Sequence, residues 1–346
     1  VASRGLGDVY KRQGTPIHWL LENQLLIPMD TSTVALPREV GIFLRGNKVH
    51  QELLPTEPKL QGPQVKSADI ERAALASISN TLRWVQELLN FWSEETPTAL
   101  QSGGLGVRDL KKASDHLGVD ESCAAFIAEL AYLAGVLNVE ADGRILPSTL
   151  FDLWQNKEPE DQWRDLVSLW KVTSRVAGLV GRSESRHITA LGAELDRSNA
   201  ALIRKLVLEL LLDNPGIAPT VESAQKAVLW RYPHRRGISI TAGLVEWTLR
   251  EAEWLGITGG NSLSAFGAKF IKDEEILGIN SALPKAVEHI LVQADNTAIA
   301  PGPLTIEVAR MLSTFADIES RGGATVYRFS ESSIRRGLDH GHSCLL

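Results

Sequence analysis

The densest cluster of side chains suited to holding a ligand is Lys226 to Arg236, KAVLWRYPHRR. Lys226, Arg231, Arg235 and Arg236 supply four cations with no acid among them, and Trp230 and Tyr232 are interleaved. Cations at this density, against an acidic background, are chemistry for phosphate contacts. The same residues also fit a plainer arrangement, in which Trp230 and Tyr232 pack inward and the arginines keep a turn solvated. Arg321, Arg328, Arg335 and Arg336 form a second set near the end of the chain. Glu331 and Asp339 dilute it, which favours a solvated face. Arg108, Lys111 and Lys112 form a third, and an ordinary exposed helix face accounts for them.

Catalytic arrangements are missing from the sequence. No G-x-x-x-x-G-K-[ST] phosphate loop occurs. Gly103-Gly104-Leu105-Gly106 is followed by Val107, Arg108 and Asp109 where a Lys-Ser pair would be needed, so the glycines read as a flexible turn before a helix. Asp273-Glu274-Glu275 follows polar residues instead of a buried strand and reads as a solvated helix end, as does Glu94-Glu95 beside Thr96-Pro97. The eight His are scattered, and neither H-E-x-x-H nor a Cys/His zinc spacing is present. With only Cys123 and Cys344, a disulfide framework is excluded. No G-x-S-x-G elbow appears. The expectation is a chain that is not an enzyme and needs no cofactor.

These residues belong to a chain of 346 residues, 44% hydrophobic and 23% charged, with net charge −6. That length predicts two to four globular units. The negative balance argues against polyanion binding by the whole surface and leaves only local patches. No apolar run reaches the roughly 18 to 20 residues that would span a bilayer.

A weak internal repeat orders the first 283 residues. Trp19-Leu20-Leu21 leads to Leu25-Leu26-Ile27, then Val34-Ala35-Leu36-Pro37 and a helix to Leu44. Leu130 and Leu133 to Leu137 lead to Arg144-Ile145-Leu146-Pro147 and a helix toward Trp154. Trp254-Leu255-Gly256-Ile257 leads to Ser262-Leu263-Ser264 and Phe266 to Ile271. Pro37, Pro147 and Ser264 serve as anchors, 110 and 117 residues apart. In the second copy, Leu82, Val85, Leu88-Leu89 and Trp92 mark a helix, Val107 to Leu117 a second, ending at Gly118, and Phe126 to Leu137 a third. The third copy repeats this with Leu202 to Leu211, Val221 to Trp230 and Thr241 to Trp254. Three helices followed by a two-stranded wing is the winged-helix order, whose third helix can enter a major groove. The first copy lacks its opening helices. Linkers are expected at Leu53 to Lys66 and at Gly181 to Ser198.

The stretch His289 to His342 has a different pattern. Ile290 to Ala294 and Ala298 to Ala300 read as strands around Asp295-Asn296, and Ile306 to Phe315 as a helix capped at Gly322-Gly323. Val326 to Phe329 forms another strand, and Ser330 and Ser333 precede a final helix with Ile334 and Leu338. This strand, strand, helix, strand, helix order carries VQAD, APGPL, ESRGGATVYRFSESSIRRGL and Gly341. It closely resembles the N-terminal domain of XPB-type DNA repair helicases (the helicase conserved C-terminal-like/XPB N-terminal family), and more closely the copy in bacterial helicase-associated proteins that lack a motor. The resemblance implies DNA engagement beside an XPB-type helicase supplied in trans. Asp8 to Gln13 and Ser343 to Leu346 resemble adapter read-through, which marks the sequence as a fragment.

The expected organisation is therefore a non-native end over 1–13, a truncated winged-helix unit over 14–62, winged-helix units over 67–180 and 198–283, an XPB N-terminal-like domain over 284–342 and a non-native end over 343–346. The fold class is mainly α with small β wings (α+β), closed by a small mixed α/β domain. The expected function is a non-catalytic DNA-binding accessory module of an XPB-type DNA repair helicase, engaging double-stranded DNA in the cytoplasm or nucleoid and no membrane. The alternative is a winged-helix scaffold for proteins without DNA contact, which Glu246, Glu251 and Glu253 on the third helix of the third unit support, because acids there repel phosphates.

Overall fold

In the computed structural model the described residues are 16–30, 33–49, 56–181, 187–232, 238–321 and 324–339. The chain divides into a small unit, Val1–Pro58, and a large one, Lys59–Leu346. Among the described residues the fold is helix-dominated, with four small antiparallel sheets. The small unit holds α1 (Pro16–Glu22), a β1–β2 hairpin (Ile27–Pro28 with Val34–Ala35) and α2 (Arg38–Leu44). Gly41 is its one buried residue among those described.

The large unit opens on α3 (Ser67–Glu94), which buries Ile70, Ala74, Ile78, Leu82, Val85, Leu88, Leu89 and Trp92. Steps of three and four residues place these on one stripe. α4 (Val107–Leu117) ends where the sequence predicts, because Gly118 takes the left-handed φ of 67° that a C-terminal cap requires. α5 (Glu121–Leu133) begins at Asp120, whose carboxylate accepts from Cys123 N at 2.8 Å. The β3–β4 hairpin (Leu137–Val139, Ile145–Pro147) follows. Residues 97–99 join its edge, with Ala99 N donating to Gly143 O at 2.8 Å and Ile145 N to Pro97 O at 2.9 Å.

After α6 (Leu150–Gln155) and α7 (Pro159–Val172) the same order returns in α8 (Ala200–Asp213), α9 (Val221–Arg231), α10 (Ile238–Trp254) and a β5–β6 hairpin (Thr258–Gly259, Ser262–Leu263). α11 (Ala265–Ile271) is capped by Ser264, which accepts from Gly267 N, and α12 (Ile279–Ala282) follows. One hydrophobic core runs from Leu60 to Ile279.

Within two stretches read as linkers, residues 60–65 and 188–195 are packed segments. Leu60 is buried, and Val65 N donates to Gly216 O at 2.8 Å, so residues near 61–65 act as a strand for the 217 region. Ile188, Ala190, Leu191 and Leu195 are also buried, and Leu105 N donates to Ala190 O at 2.7 Å. Isolated apolar residues among polar ones give no periodicity, so the sequence pattern does not reveal such straps.

The last part is a four-stranded antiparallel sheet in the order β7-β8-β10-β9, made of Leu291–Val292, Thr297–Ala300, Thr325–Arg328 and Asp317–Arg321. α13 (Ile306–Phe315) and α14 (Glu331–Asp339) complete it. β9 is an addition to the expected element order. Its sequence, DIESR, is polar because it forms an exposed edge, and charges there discourage pairing with other strands. Correspondingly, α13 ends at Phe315 with Ala316 at its C-cap, and the expected cap Gly322-Gly323 lies outside the described residues. Ser330 and Ser333 cap α14 reciprocally: Ser333 N donates to Ser330 Oγ at 3.1 Å and Ser330 N to Ser333 Oγ at 2.9 Å.

Candidate nucleic-acid interface

The described candidate cations are mostly engaged by acids. On α9, Lys226 Nζ lies 2.7 Å from Glu222 Oε1, and this contact holds the Glu222 carboxyl below its ordinary range. At the end of α9, Arg231 Nη2 lies 2.7 Å from Asp213 Oδ2 with its side chain largely covered. Tyr232 packs against the core, as in the plainer reading of the cluster, while Trp230 is partly exposed. Arg235 and Arg236 lie outside the described residues.

In the C-terminal sheet, Arg328 donates from Nε and Nη2 to Glu319 Oε1 at 2.9 and 2.7 Å, which raises its pKa. Arg336 Nη2 lies 2.8 Å from Asp317 Oδ1. Both arginines are thus drawn to the acids of β9, whose last residue is Arg321. Arg335 is exposed and forms no ion pair among the described residues. A cation already paired with a carboxylate releases less counterion on meeting a phosphate.

The third helices are largely buried among the described residues, with Glu246 and Arg250 exposed on α10. Every residue of α5 from Cys123 to Ala131 is buried. On α10, Leu244, Val245, Trp247, Thr248, Leu249, Glu251 and Ala252 are buried. Arg250 is exposed, yet its Nη2 pairs with Asp120 Oδ2 at 3.0 Å and its guanidinium lies over Trp247 and Trp254. The hairpins differ as well. β5–β6 is buried along its length and packs on α3, whereas the β3–β4 tip exposes Glu140, Ala141 and Asp142, with Arg144 bound to Asp142 at 2.7 Å. That tip is acidic.

Sequence reading gave no sign of a buried charge network between these helices. Arg175 binds Glu129 of α5 at 2.6 Å, and Glu129 also accepts from Leu191 N at 2.5 Å. Burial works against the Arg175 cation, but the Glu129 contact outweighs it and raises the pKa. Glu251 of α10 accepts from Trp170 Nε1 at 2.6 Å and lies 3.5 Å from Arg204 of α8. Arg204 donates to the carbonyls of Thr173 and Arg175, at 2.5 and 2.8 Å. Burial raises the Glu251 pKa, opposed by Arg204, and lowers that of Arg204, opposed by Glu251. Glu129 and Glu251 therefore act inside the protein, and Glu253 accepts from Gly260 N and Asn261 N at 2.8 Å, fixing the β5–β6 turn, whereas Glu246 is exposed.

Cavities are small. One of about 140 Å³ is lined by Phe91, Trp92, Glu95, Pro97, Asp109 and Lys112. Another, of about 10 Å³, lies by Glu129, Arg175, Arg204 and Glu251 and has room for about one water. Small-molecule sites commonly need roughly 300 Å³ or more. Among the described residues no three His, Cys, Asp or Glu gather into a group that could hold a metal, and no helix is long and apolar enough to cross a membrane. The buried Cys123 thiol is pushed up to about 12 by desolvation, so it is inert.

The C-terminal sheet is the remaining element with a distinct architecture. Its central strand buries Ala298 and Ala300, and α13 meets α14 closely enough that a Cβ at Gly337 would lie 2.3 Å from the Phe315 ring. Residues 290–345 match the helicase conserved C-terminal domain family. This helicase-type segment covers about a sixth of the chain and contains Arg321, Arg328, Arg335 and Arg336. The match runs to residue 345, past the boundary expected at 342. No curated protein matches the chain. The match associates the chain with helicases.

Proposed function

We propose that this chain is a non-catalytic accessory module of an XPB-type DNA repair helicase, in which tandem winged-helix units form a rigid protein scaffold for the helicase-type domain. Residues 67–147 run helix, short strand, helix, helix, hairpin, and 200–263 follow the same order, which supports the winged-helix assignment. The observation that carries the scaffold reading is the burial of α5 from Cys123 to Ala131 and of most α10 positions from Leu244 to Ala252. A helix whose faces are spent on a core cannot also read base edges without unfolding that core. Winged helices serve protein docking as well as DNA binding, so the fold alone does not choose between them.

DNA contact by the same module is the second reading, favoured by the run of basic and aromatic residues over 226–236. Fluorescence anisotropy with duplex DNA over a salt series separates the two. The scaffold reading expects weak binding that is unchanged when Arg231, Arg235 and Arg236 become Ala. If those changes reduce the slope of log affinity against log salt by up to roughly 3, DNA binding is the module's function and the scaffold reading fails.

The reading places the protein in the cytoplasm, alongside a helicase that supplies the motor. Because the phosphate loop is absent, calorimetry should show no stoichiometric ATP binding. Saturable 1:1 heat would overturn the non-catalytic assignment.

A further inference from the structure

Between the end of α11 at Ile271 and the start of β7 at Leu291 the chain runs from the two repeats of the large unit to the helicase-type domain, with α12 as its one turn of helix. Its first half is fastened to α7. The Glu160 carboxylate accepts three successive backbone N–H groups, from Leu277 at 3.1 Å and from Gly278 and Ile279 at 2.9 Å. Gly278, at φ 87°, turns these amides to one side, the concave arrangement that suits an anion. In return, Asn280 Oδ1 accepts from Glu160 N at 2.9 Å. One turn along α7, Arg164 donates to the carbonyls of Glu274 and Glu275 and lies 3.5 Å from Glu160. The side chains of Glu274 and Glu275 are exposed, so α7 grips this strap by its backbone.

Burial works against the Glu160 charge, but the amides of Leu277, Ile279 and Gly278 and the Arg164 cation outweigh it and hold its carboxyl below the ordinary carboxylate range. The acceptor is therefore ionised at neutral pH, and hydrogen bonds to an ionised group are about twice as strong as neutral ones. Leu277 and Ile279 are buried beside it, and Leu283 packs against the core. Beyond Leu283 the fastenings change partner. Val287 N donates to Pro303 O at 2.7 Å and Thr305 N to Val287 O at 3.1 Å, so the chain from Val287 onward is tied to the helicase-type domain. Pro284, Lys285 and Ala286, all exposed, lie between the two sets of fastenings.

We propose that Glu160 and Arg164 form a latch that keeps the strap 274–283 on the repeats and so confines the joint with the helicase-type domain to 284–286. With the latch closed the joint is short and the domain is held in one position. Opening the latch lets the strap leave α7 and lengthens the joint to 273–286. By random-coil scaling the reach of the joint then grows from about 10 Å to about 20 Å, which frees the helicase-type domain to move relative to the repeats. The latch is thus a switch in how the two parts are presented to a partner. It stands whether the scaffold or the DNA reading holds, because it concerns the connection and not what either part contacts.

The test is the distance distribution between two nitroxide labels on the 346-residue chain, at Lys111→Cys on α4 and Arg335→Cys on α14, both exposed positions. Cys344→Ser removes one competing thiol, and the buried Cys123 is inert. The parent should give one narrow distribution. Glu160→Ala combined with Arg164→Ala should broaden it by about twofold or more, in line with the longer reach. In the same variant the amides of Leu277 to Ile279 should exchange about tenfold faster or more, while exchange in α5 and α10 stays at the parent rate. Glu160→Gln, which keeps an acceptor without the charge, should fall between the two. An unchanged distribution in the double variant overturns the proposal, because other contacts then fix the domain. So does a distribution already broad in the parent. Faster exchange throughout α5 and α10 overturns it as well, since Glu160 and Arg164 would then support the whole fold and not the joint.

Discussion

Replacing Arg204 by Met should destabilise the large unit by about 3–5 kcal/mol at neutral pH, and most of that loss should disappear on acidification. Arg204 and Glu251 are both buried and 3.5 Å apart, and Glu251 draws its remaining support from Trp170. Glu251 Oε1 has no hydrogen-bond partner even beside Arg204, so without the guanidinium the buried carboxylate is held by the Trp170 indole alone. Burial already raises the Glu251 pKa above its usual 4.5, and loss of Arg204 removes an opposing influence. A carboxyl with a raised folded pKa gives the fold a proton the unfolded chain does not hold. Its contribution is therefore complete below an unfolded pKa of about 4.5 and is lost as pH rises through the folded value. Denaturant unfolding of Arg204→Met should accordingly show a penalty that shrinks between pH 7 and pH 5. Glu251→Leu leaves a guanidinium that cannot discharge, so its penalty should be nearly flat with pH. The double variant should recover most of the stability. A pH-independent penalty for Arg204→Met, with additive losses in the double variant, would mean that the two residues are not coupled.

Local signals in the sequence carried much of the architecture and little of the packing. The α3 stripe, the Gly118 stop and the Ser330–Ser333 cap depend on residues close in sequence, and each is visible as a pattern there. The α5 and α10 patterns also indicated helices, but not that these helices would be enclosed. Enclosure depends on distant partners such as Trp170, Arg175 and Arg204. The acids Glu251 and Glu253 were readable as hostile to phosphate, whereas their actual partners, Arg204 and the turn at Gly260, lie outside any local window. Candidate cations were found by their density, but pairing of Arg231 with Asp213, 18 residues away, needs the α8–α9 geometry. β9 was missed because an exposed edge strand has no apolar alternation to detect.

The two hairpins of the large unit should respond oppositely to added bulk. Gly259 lies where β5 crosses α3, and a Cβ there would fall 2.0 Å from the Ile70 carbonyl oxygen and 2.9 Å from Ala74 N. Both obstacles are backbone, so no rotamer change can relieve them, and either the hairpin lifts or the helix bends. Overpacking of this kind commonly costs about 1–3 kcal/mol, and a rigid backbone obstacle puts Gly259→Ala at or above the upper end, about 3 kcal/mol. Ala141, exposed at the β3–β4 tip, meets no such wall, and Ala141→Leu should stay within about 0.5 kcal/mol of the parent. Urea midpoints of the two variants provide the comparison. A large loss at Gly259 with none at Ala141 means that β5–β6 is a brace holding α10 against α3 and is unavailable as a wing. Its separation from α3 would then be a precondition for any groove contact by this repeat. Equal, small effects would show that β5–β6 lifts from α3 at little cost, and the main structural objection to DNA reading by the repeat over 198–283 would fall away.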